Sequence, residues 1–322
     1  MKKSGTVTRI VTVAVATALL AAAAVTGSPR IARLHLKNGR RFVCTVLALN
    51  QGEVTVQREL EGGTILTEYH ACEAIAALEF PRPEFLDGSD SRNVLDQQEL
   101  RVAVQAAEEE YARWKPFVDI PGGWAVPVGF CYAELLERQQ QYSAAYALYA
   151  ESGRPDICRE TARKTILRRA VCQYYMGQYS NAYVFCTNAV ANALTDTERA
   201  EAAYYLGRVL TELKQPVESL FMLLKNVVFY SYEGEWEAKS LRAVLSNYAL
   251  LNDRERIVTT CNVLMRRYPD TAYALHATNC LRRIAAGQSL IEASSTASTA
   301  EKTNSSEKNE FTSNAKRKEA GQ

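Results

Sequence analysis

Two periods of apolar residues divide this chain. Over 31–83 the period is two: Ala32, Leu34 and Leu36 alternate with Arg33, His35 and Lys37, the pattern of a half-buried strand. Asn38-Gly39 then reads as a tight hairpin turn, and Phe42–Leu49 as a second strand. Turns at Asn50-Gln51-Gly52 and Glu61-Gly62-Gly63 separate Val54–Val56 and Thr64–Tyr69, and a short turn at His70–Ala74 precedes Ile75–Phe80. Pro81 and Pro83 end the run. Five short strands in so few residues predict a small β barrel over 31–83, SH3-like or Sm-like in pattern. After a linker at 84–91 the period changes. Leu100, Ala103, Ala107, Tyr111 and Trp114 make one helical face, so 92–125 is read as a capping helix and its connection, ended by Pro116 and Pro121-Gly122-Gly123.

From Val126 to Thr271 the helical pattern repeats. With Val126, Arg163, Ala200 and Ala238 as first positions, the starts lie 37, 37 and 38 residues apart. Position 8 is Ala133, Ala170 and Gly207 in the first three units, and position 20 is Ala145, Ala182, Ser219 and Ile257. Position 11 carries Leu136, Leu210 and Tyr248, and position 24 carries Tyr149 and Leu223. Small residues at 8 and 20 let two helices approach, and large apolar residues fill the space around that contact. Proline stands at position 32 as Pro269, and position 17 is Tyr142, Tyr179, Pro216 and Arg254.

This register resembles the tetratricopeptide repeat (TPR), a helix–turn–helix unit of ~34 residues. The resemblance covers four units, 126–159, 163–196, 200–233 and 238–271, with three or four extra residues per unit assigned to linkers. A further helix over 271–288, with the stripe Ala274, Ala277, Leu281 and Ile284, is read as the C-terminal cap. The expected fold is therefore α+β in separate domains: a small N-terminal β barrel, then an all-α, TPR-like solenoid of helical hairpins.

The resemblance implies function through its groove. In the family, positions 2, 5, 9 and 12 of each first helix line a concave surface that holds a partner segment. Here those positions include Lys164, Leu167, Tyr174, Tyr204, Arg208, Lys239 and Arg242. Arginine and tyrosine concentrate binding energy at interfaces. The implied partner is a protein or peptide, acidic or ending in a carboxylate. None of these positions carries the asparagine used by the family's carboxylate clamps. Self-association is open beside hetero-binding.

The termini add an address. Lys2, Lys3 and Arg9 precede the apolar stretch Ile10–Val25, and Gly27-Ser28-Pro29 follows, the layout of a secretory signal over 1–27. The expected location is outside the cytoplasm: a bacterial periplasm or cell envelope, or the medium. Membrane contact is expected only if the signal stays uncleaved. Without 1–27 the formal net charge of +2 becomes about −1, which gives no electrostatic case for nucleic acid. The Ser-, Thr-, Lys- and Glu-rich tail 293–322 is expected to be disordered.

Chemistry is sparse. No C-x-x-C, H-E-x-x-H or G-x-S-x-G occurs, and the three histidines, His35, His70 and His276, are far apart in sequence. No catalytic residue, metal site or cofactor is assigned. The eight cysteines of an exported chain raise disulfides, with Cys44–Cys72 and Cys172–Cys186 as the open pairings. The alternative is cysteine as a small apolar core residue, as at position 24 in Cys186 and Cys261. The reading reached is a non-catalytic interaction scaffold of the cell envelope. Its alternative is a cell-wall or glycan-binding module with the barrel as binder and the repeats as spacer.

Overall fold

Alternation along 30–79 folds as it reads, into β1 (Arg30–Leu36), β2 (Arg41–Asn50), β3 (Glu53–Glu59), β4 (Ile65–Ala71) and β5 (Ile75–Glu79). The computed structural model describes residues 30–50, 52–60, 62–87, 96–231 and 234–289. The expected signal over 1–27, the end of the expected linker, residues 92–95 of the expected capping segment and the expected tail 293–322 lie outside these residues. The described chain forms two compact units, divided between Thr165 and Ile166.

In the first unit the five strands make one antiparallel sheet in the order β4-β3-β2-β1-β5. β4 and β5 are its two edges and do not pair, so the expected barrel is corrected to an open sheet. The reason lies in what covers the apolar face. Leu34, Val46, Val54, Val56 and Leu78 pack against Trp114, Phe117, Ile120 and Val128, so helical residues supply the second layer. The β5 edge is covered as well. Leu78 N–H donates to the Pro121 carbonyl at 2.8 Å, and a Cβ on Gly122, at φ +84, would lie 3.2 Å from the Leu78 carbonyl oxygen. Helix α1 (Gln97–Trp114) opens with a capping box between Asp96 and Glu99. It packs on α2 (Ala125–Arg138), where a Cβ on Gly129 would come 2.8 Å from the Tyr111 ring. Helix α3 (Tyr142–Ser152) packs back on α2.

Helix α4 (Arg159–Tyr175) runs across the division between the units. The second unit continues with α5 (Tyr179–Asn192), α6 (Asp196–Glu212), α7 (Pro216–Phe229), α8 (Gly234–Leu250), α9 (Arg254–Arg267) and α10 (Ala272–Ala285). Within this unit consecutive helices from α5 to α10 pack in order, and α6 also touches α8, as α8 touches α10. That is the stacking of TPR-like hairpins. The extra residues of each unit go largely into the first helices rather than the linkers: α4, α6 and α8 each run 17 residues, beginning four residues before the register's first position.

Position 17 is the first residue of every second helix, which explains its tolerance. Pro216 supplies a fixed φ where no N–H is needed, and beside Arg254 the side chain of Asp253 caps the helix by accepting from Arg256 N–H. Each hairpin turn is a left-handed three-residue stop. Its middle residue has positive φ: Gln140 at 64°, Gly177 at 76°, Lys214 at 62° and Asn252 at 56°. The same paired backbone bonds recur, as in Gln215 N–H to Leu210 O and Lys214 N–H to Thr211 O. Lys214 is exposed and carries the Cβ penalty of this conformation. Lys214→Gly is expected to stabilise the second unit by about 0.5–1 kcal/mol, read as a rise in urea midpoint at unchanged slope.

Neither of the two disulfide pairings is present: Cys44, Cys72 and Cys186 are thiols. Thr45 pairs with Gln57 and Ala71 with Glu53, which sets Cys44 and Cys72 six β3 residues, roughly 20 Å, apart along that strand, beyond the ~7 Å Cα reach of a bridge. On α4 it is Ala170 and Tyr174 that share a cluster with Ala182 and Cys186. Cys172, two residues from each, is turned about 200° away from that face.

Candidate partner-binding face

The second unit brings the α4, α6 and α8 members of the predicted groove together around a ladder of aromatic rings. Tyr174 on α4 lies 6.4 Å from Tyr205 on α6, and Tyr204 and Tyr205 lie 5.6 and 6.3 Å from Trp236 on α8. The rings come from different register positions, 12 on α4, 5 and 6 on α6, and two residues before the first position on α8.

Arg208 is anchored within the ladder. One Nη donates to Tyr204 Oη at 2.8 Å and the other to Tyr174 Oη at 2.5 Å. Its guanidinium carbon lies 5.2 Å from the Tyr174 ring centroid and 5.8 Å from that of Tyr204. Each bond is accepted by a phenolic oxygen, so the Tyr204 hydroxyl keeps its hydrogen to donate onward. Lys239 lies over Trp236, 4.3 Å from its ring centroid, and pairs with Glu235 one turn earlier. Arg242, one turn further along α8, is half-buried and has no hydrogen-bond or ion-pair partner among the described residues. Arg168 on α4 is held by Glu201 on α6.

The predicted residues therefore separate by role. Leu167 is core, packed with Val171, Ala189 and Ala202. Tyr174 and Tyr204 are buried at 8% and 7% exposure, so their rings support Arg208 rather than offering a surface of their own. Lys164 belongs to the first unit, is exposed and pairs with Glu160 on its own helix. Arg208, Lys239 and Arg242 remain as cations on one face. The register missed Trp236 and Tyr205. Trp236 precedes the register's first position by two residues, in the extra turn of α8, and Tyr205 falls between groove positions.

A second polar cluster was not legible at all. His70 on β4 lies 3.0 Å from Glu68, whose other oxygen accepts from Arg58 Nε at 2.7 Å, and Arg40 approaches to 3.7 Å. Both His70 and Glu68 are buried, so His70 is not the isolated histidine that the sequence indicates. Burial pulls the His70 imidazolium down, against the raising effect of Glu68. Arg58 and Arg40 also sit over Phe42. Every charge here is met from within the sheet, so the cluster closes one end of its core.

Among the described residues there is no group of three or more His, Cys, Asp or Glu placed to hold a metal, and no helix long and apolar enough to cross a membrane. No protein-family model matches this chain, and no curated protein matches it. Among solved structures it is similar to YrrB, a TPR protein with an unusual peptide-binding site. The identity is 14%, over 61% of this chain and 98% of YrrB, with a TM-score of 0.43.

Proposed function

We propose that this chain is an exported, non-catalytic scaffold that holds a partner's acidic or carboxylate-terminated segment on the α6–α8 face of its second unit. The observation that carries the reading is the fixed presentation of Arg208. Two tyrosine hydroxyls and two rings hold its guanidinium in place, so little side-chain entropy remains to be lost on binding. Arg242 supplies a second cation, and cations on one face favour an anionic segment. Export rests on the signal pattern of residues 1–27, and the envelope context follows from it as an expectation. The glycan alternative finds less support: of the sheet's aromatics, Tyr69 is exposed, whereas Phe42 is half-buried and Phe80 buried.

The test is affinity capture of mature 28–322 from an envelope extract, beside Arg242→Glu. Reversing Arg242 breaks no internal bond, so the fold is expected to survive. Loss of a captured acidic partner by roughly 10-fold or more is the expected result. Equal capture by both proteins would move the interface off this face. Self-association is the second reading, favoured by Val217, Phe221 and Val228 on one side of α7, each more than 60% exposed. Recovery of a second copy alone, lost in Phe221→Glu and kept in Arg242→Glu, would replace the groove with α7.

A further inference from the structure

The two edges of the sheet differ. On β5, the Leu78 N–H is taken up by the Pro121 carbonyl, whereas no described element pairs with the outer side of β4. Antiparallel alternation fixes which backbone groups that edge presents. Leu60 N–H donates to Thr64 O at 2.8 Å and Cys72 N–H to Gly52 O at 2.7 Å, and the β3–β4 register runs between these bonds without a bulge. The even-numbered residues of β4 therefore bond to β3, and Ile65, Thr67, Tyr69 and Ala71 turn their backbone groups outward. Among the described residues no backbone hydrogen bond reaches these outward groups.

Edge strands that stay single are blunted by lysine, proline or a bulge. β4 has none of the three. On the solvent face of the sheet it carries Ile65 at 66% and Tyr69 at 47% exposure, on either side of Thr67. Its acidic residue, Glu68, lies on the opposite face, buried and met there by Arg58 and His70. The edge thus joins unpaired backbone groups to uncharged side chains of high β propensity, the combination that recruits a further strand.

We propose that β4 is a homodimer interface, which pairs antiparallel with β4 of a second copy about a two-fold axis at Thr67 and joins two sheets into one. The occupant follows from the edge itself, because about Thr67 the strand is complementary to its own copy. Ile65 lies opposite Tyr69 of the second copy, once on each side of the axis, and Thr67 lies opposite Thr67. These are the aromatic–β-branched and Thr–Thr pairings that stabilise antiparallel ladders. All three pairs are of the hydrogen-bonded kind, so about six backbone bonds form across the axis. Gln57 Nε2 donates to Thr67 Oγ1 at 3.4 Å, which leaves the hydroxyl hydrogen for the second copy. Like charges do not meet, since Glu68 lies opposite Leu66 and keeps Arg58 and His70. An axis centred on Glu68 would instead set two carboxylates opposite one another, so charge disfavours the register that overlaps the whole strand. The interface lies in the first unit and uses neither Arg208 nor Arg242.

The test is sedimentation velocity of mature 28–322 over a concentration series, joined to amide hydrogen exchange read residue by residue. A dimer is expected. With rising concentration the amides of Ile65, Thr67 and Tyr69 gain protection, whereas those of Leu66, Glu68 and His70 are protected throughout. Thr67→Lys sets two ammonium groups at the axis and is expected to weaken the dimer roughly 10-fold or more. Thr67→Pro removes an N–H that faces away from β3, so the internal ladder survives, and the same loss is expected. Thr67→Cys is expected to yield on oxidation a dimer bridged at that position, because Cα atoms of a hydrogen-bonded pair lie ~5.5 Å apart, within disulfide reach. A wild-type chain that stays monomeric throughout the series would overturn the proposal. So would a dimer that survives both Thr67→Lys and Thr67→Pro, or one that leaves the outward amides unprotected. A dimer lost in Phe221→Glu and kept in both Thr67 variants would place the contact on α7 instead.

Discussion

Arg267→Ala is expected to destabilise the second unit by about 3 kcal/mol, more than its position on an exposed helix end implies. The Arg267 side chain is 46% exposed, but its partner Glu237 is only 5% exposed and lies on the neighbouring helix α8. Removing the guanidinium leaves a buried carboxylate with the Tyr268 hydroxyl, at 2.8 Å, as its remaining partner. A buried charge that loses its counter-ion costs more than the pair contributed, because the desolvation remains and the attraction is gone. Glu237→Gln removes the charge and keeps the shape, and is expected to cost about 1 kcal/mol. The decisive result is the double variant: Glu237→Gln in the Arg267→Ala background is expected to recover most of the loss. Urea unfolding followed by Trp236, the tryptophan of the second unit, measures all three. Additive costs in the double variant would show that Arg267 acts through packing alone.

The pair bears on binding because α8 carries both Glu237 and Arg242. Glu237 ties the start of α8 to the end of α9, which fixes the direction in which Lys239 and Arg242 leave the helix. A scaffold that reads charge needs its cations on a rigid element. The same logic places Asn247, fully buried, between Thr211 Oγ1 at 3.0 Å and Ser219 Oγ at 2.9 Å, locking α8 to the α6–α7 hairpin.

Local periodicity was legible, and interactions across elements were not. The five strands and the start of every second helix follow from spacings of two and 3.6 residues, which a chain displays without knowing its neighbours. The left-handed turn centres were half-visible. Gly177 and Asn252 announce the conformation, whereas Gln140 and Lys214 adopt it because the hairpin around them demands it. The open sheet was hidden because its covering layer comes from Trp114, Phe117 and Ile120, residues that periodicity assigns to a helix and its connection. Groove positions were legible as positions and illegible as roles. Tyr174 and Tyr204 fall where the register puts them, yet their burial depends on rings of helices that start a turn earlier than the register does. Arg58 joins Glu68 and His70 from the neighbouring strand, so the period of β4 alone carries no trace of that contact.

Gly207→Ala is expected to cost about 2 kcal/mol, although alanine is the better helix former. Gly207 lies inside α6, and a Cβ built there would meet Leu223 of α7 at 2.6 and 2.7 Å. Leu223 is fully buried and has no room to withdraw. The same close approach lets Ser219 donate to the Gly207 carbonyl at 2.7 Å, so separating the helices also breaks a buried bond. Two terms oppose each other: about 1 kcal/mol gained from helix propensity, and up to about 3 kcal/mol lost to overpacking. The clash distance decides for the second. Truncating the neighbour should reverse the sign. Leu223→Ala alone opens a cavity and is expected to cost about 3 kcal/mol, but in that background Gly207→Ala is expected to be neutral or stabilising by about 1 kcal/mol. Urea midpoints for the four members of this cycle measure the coupling directly. A cost for Gly207→Ala that persists without Leu223 would place the constraint on the backbone of α6 itself. Arg208 is the next residue along that helix, so the destabilised single variant is also expected to bind partner more weakly than Leu223→Ala/Gly207→Ala. That difference would tie the close packing of one hairpin to the fixed cation on its face.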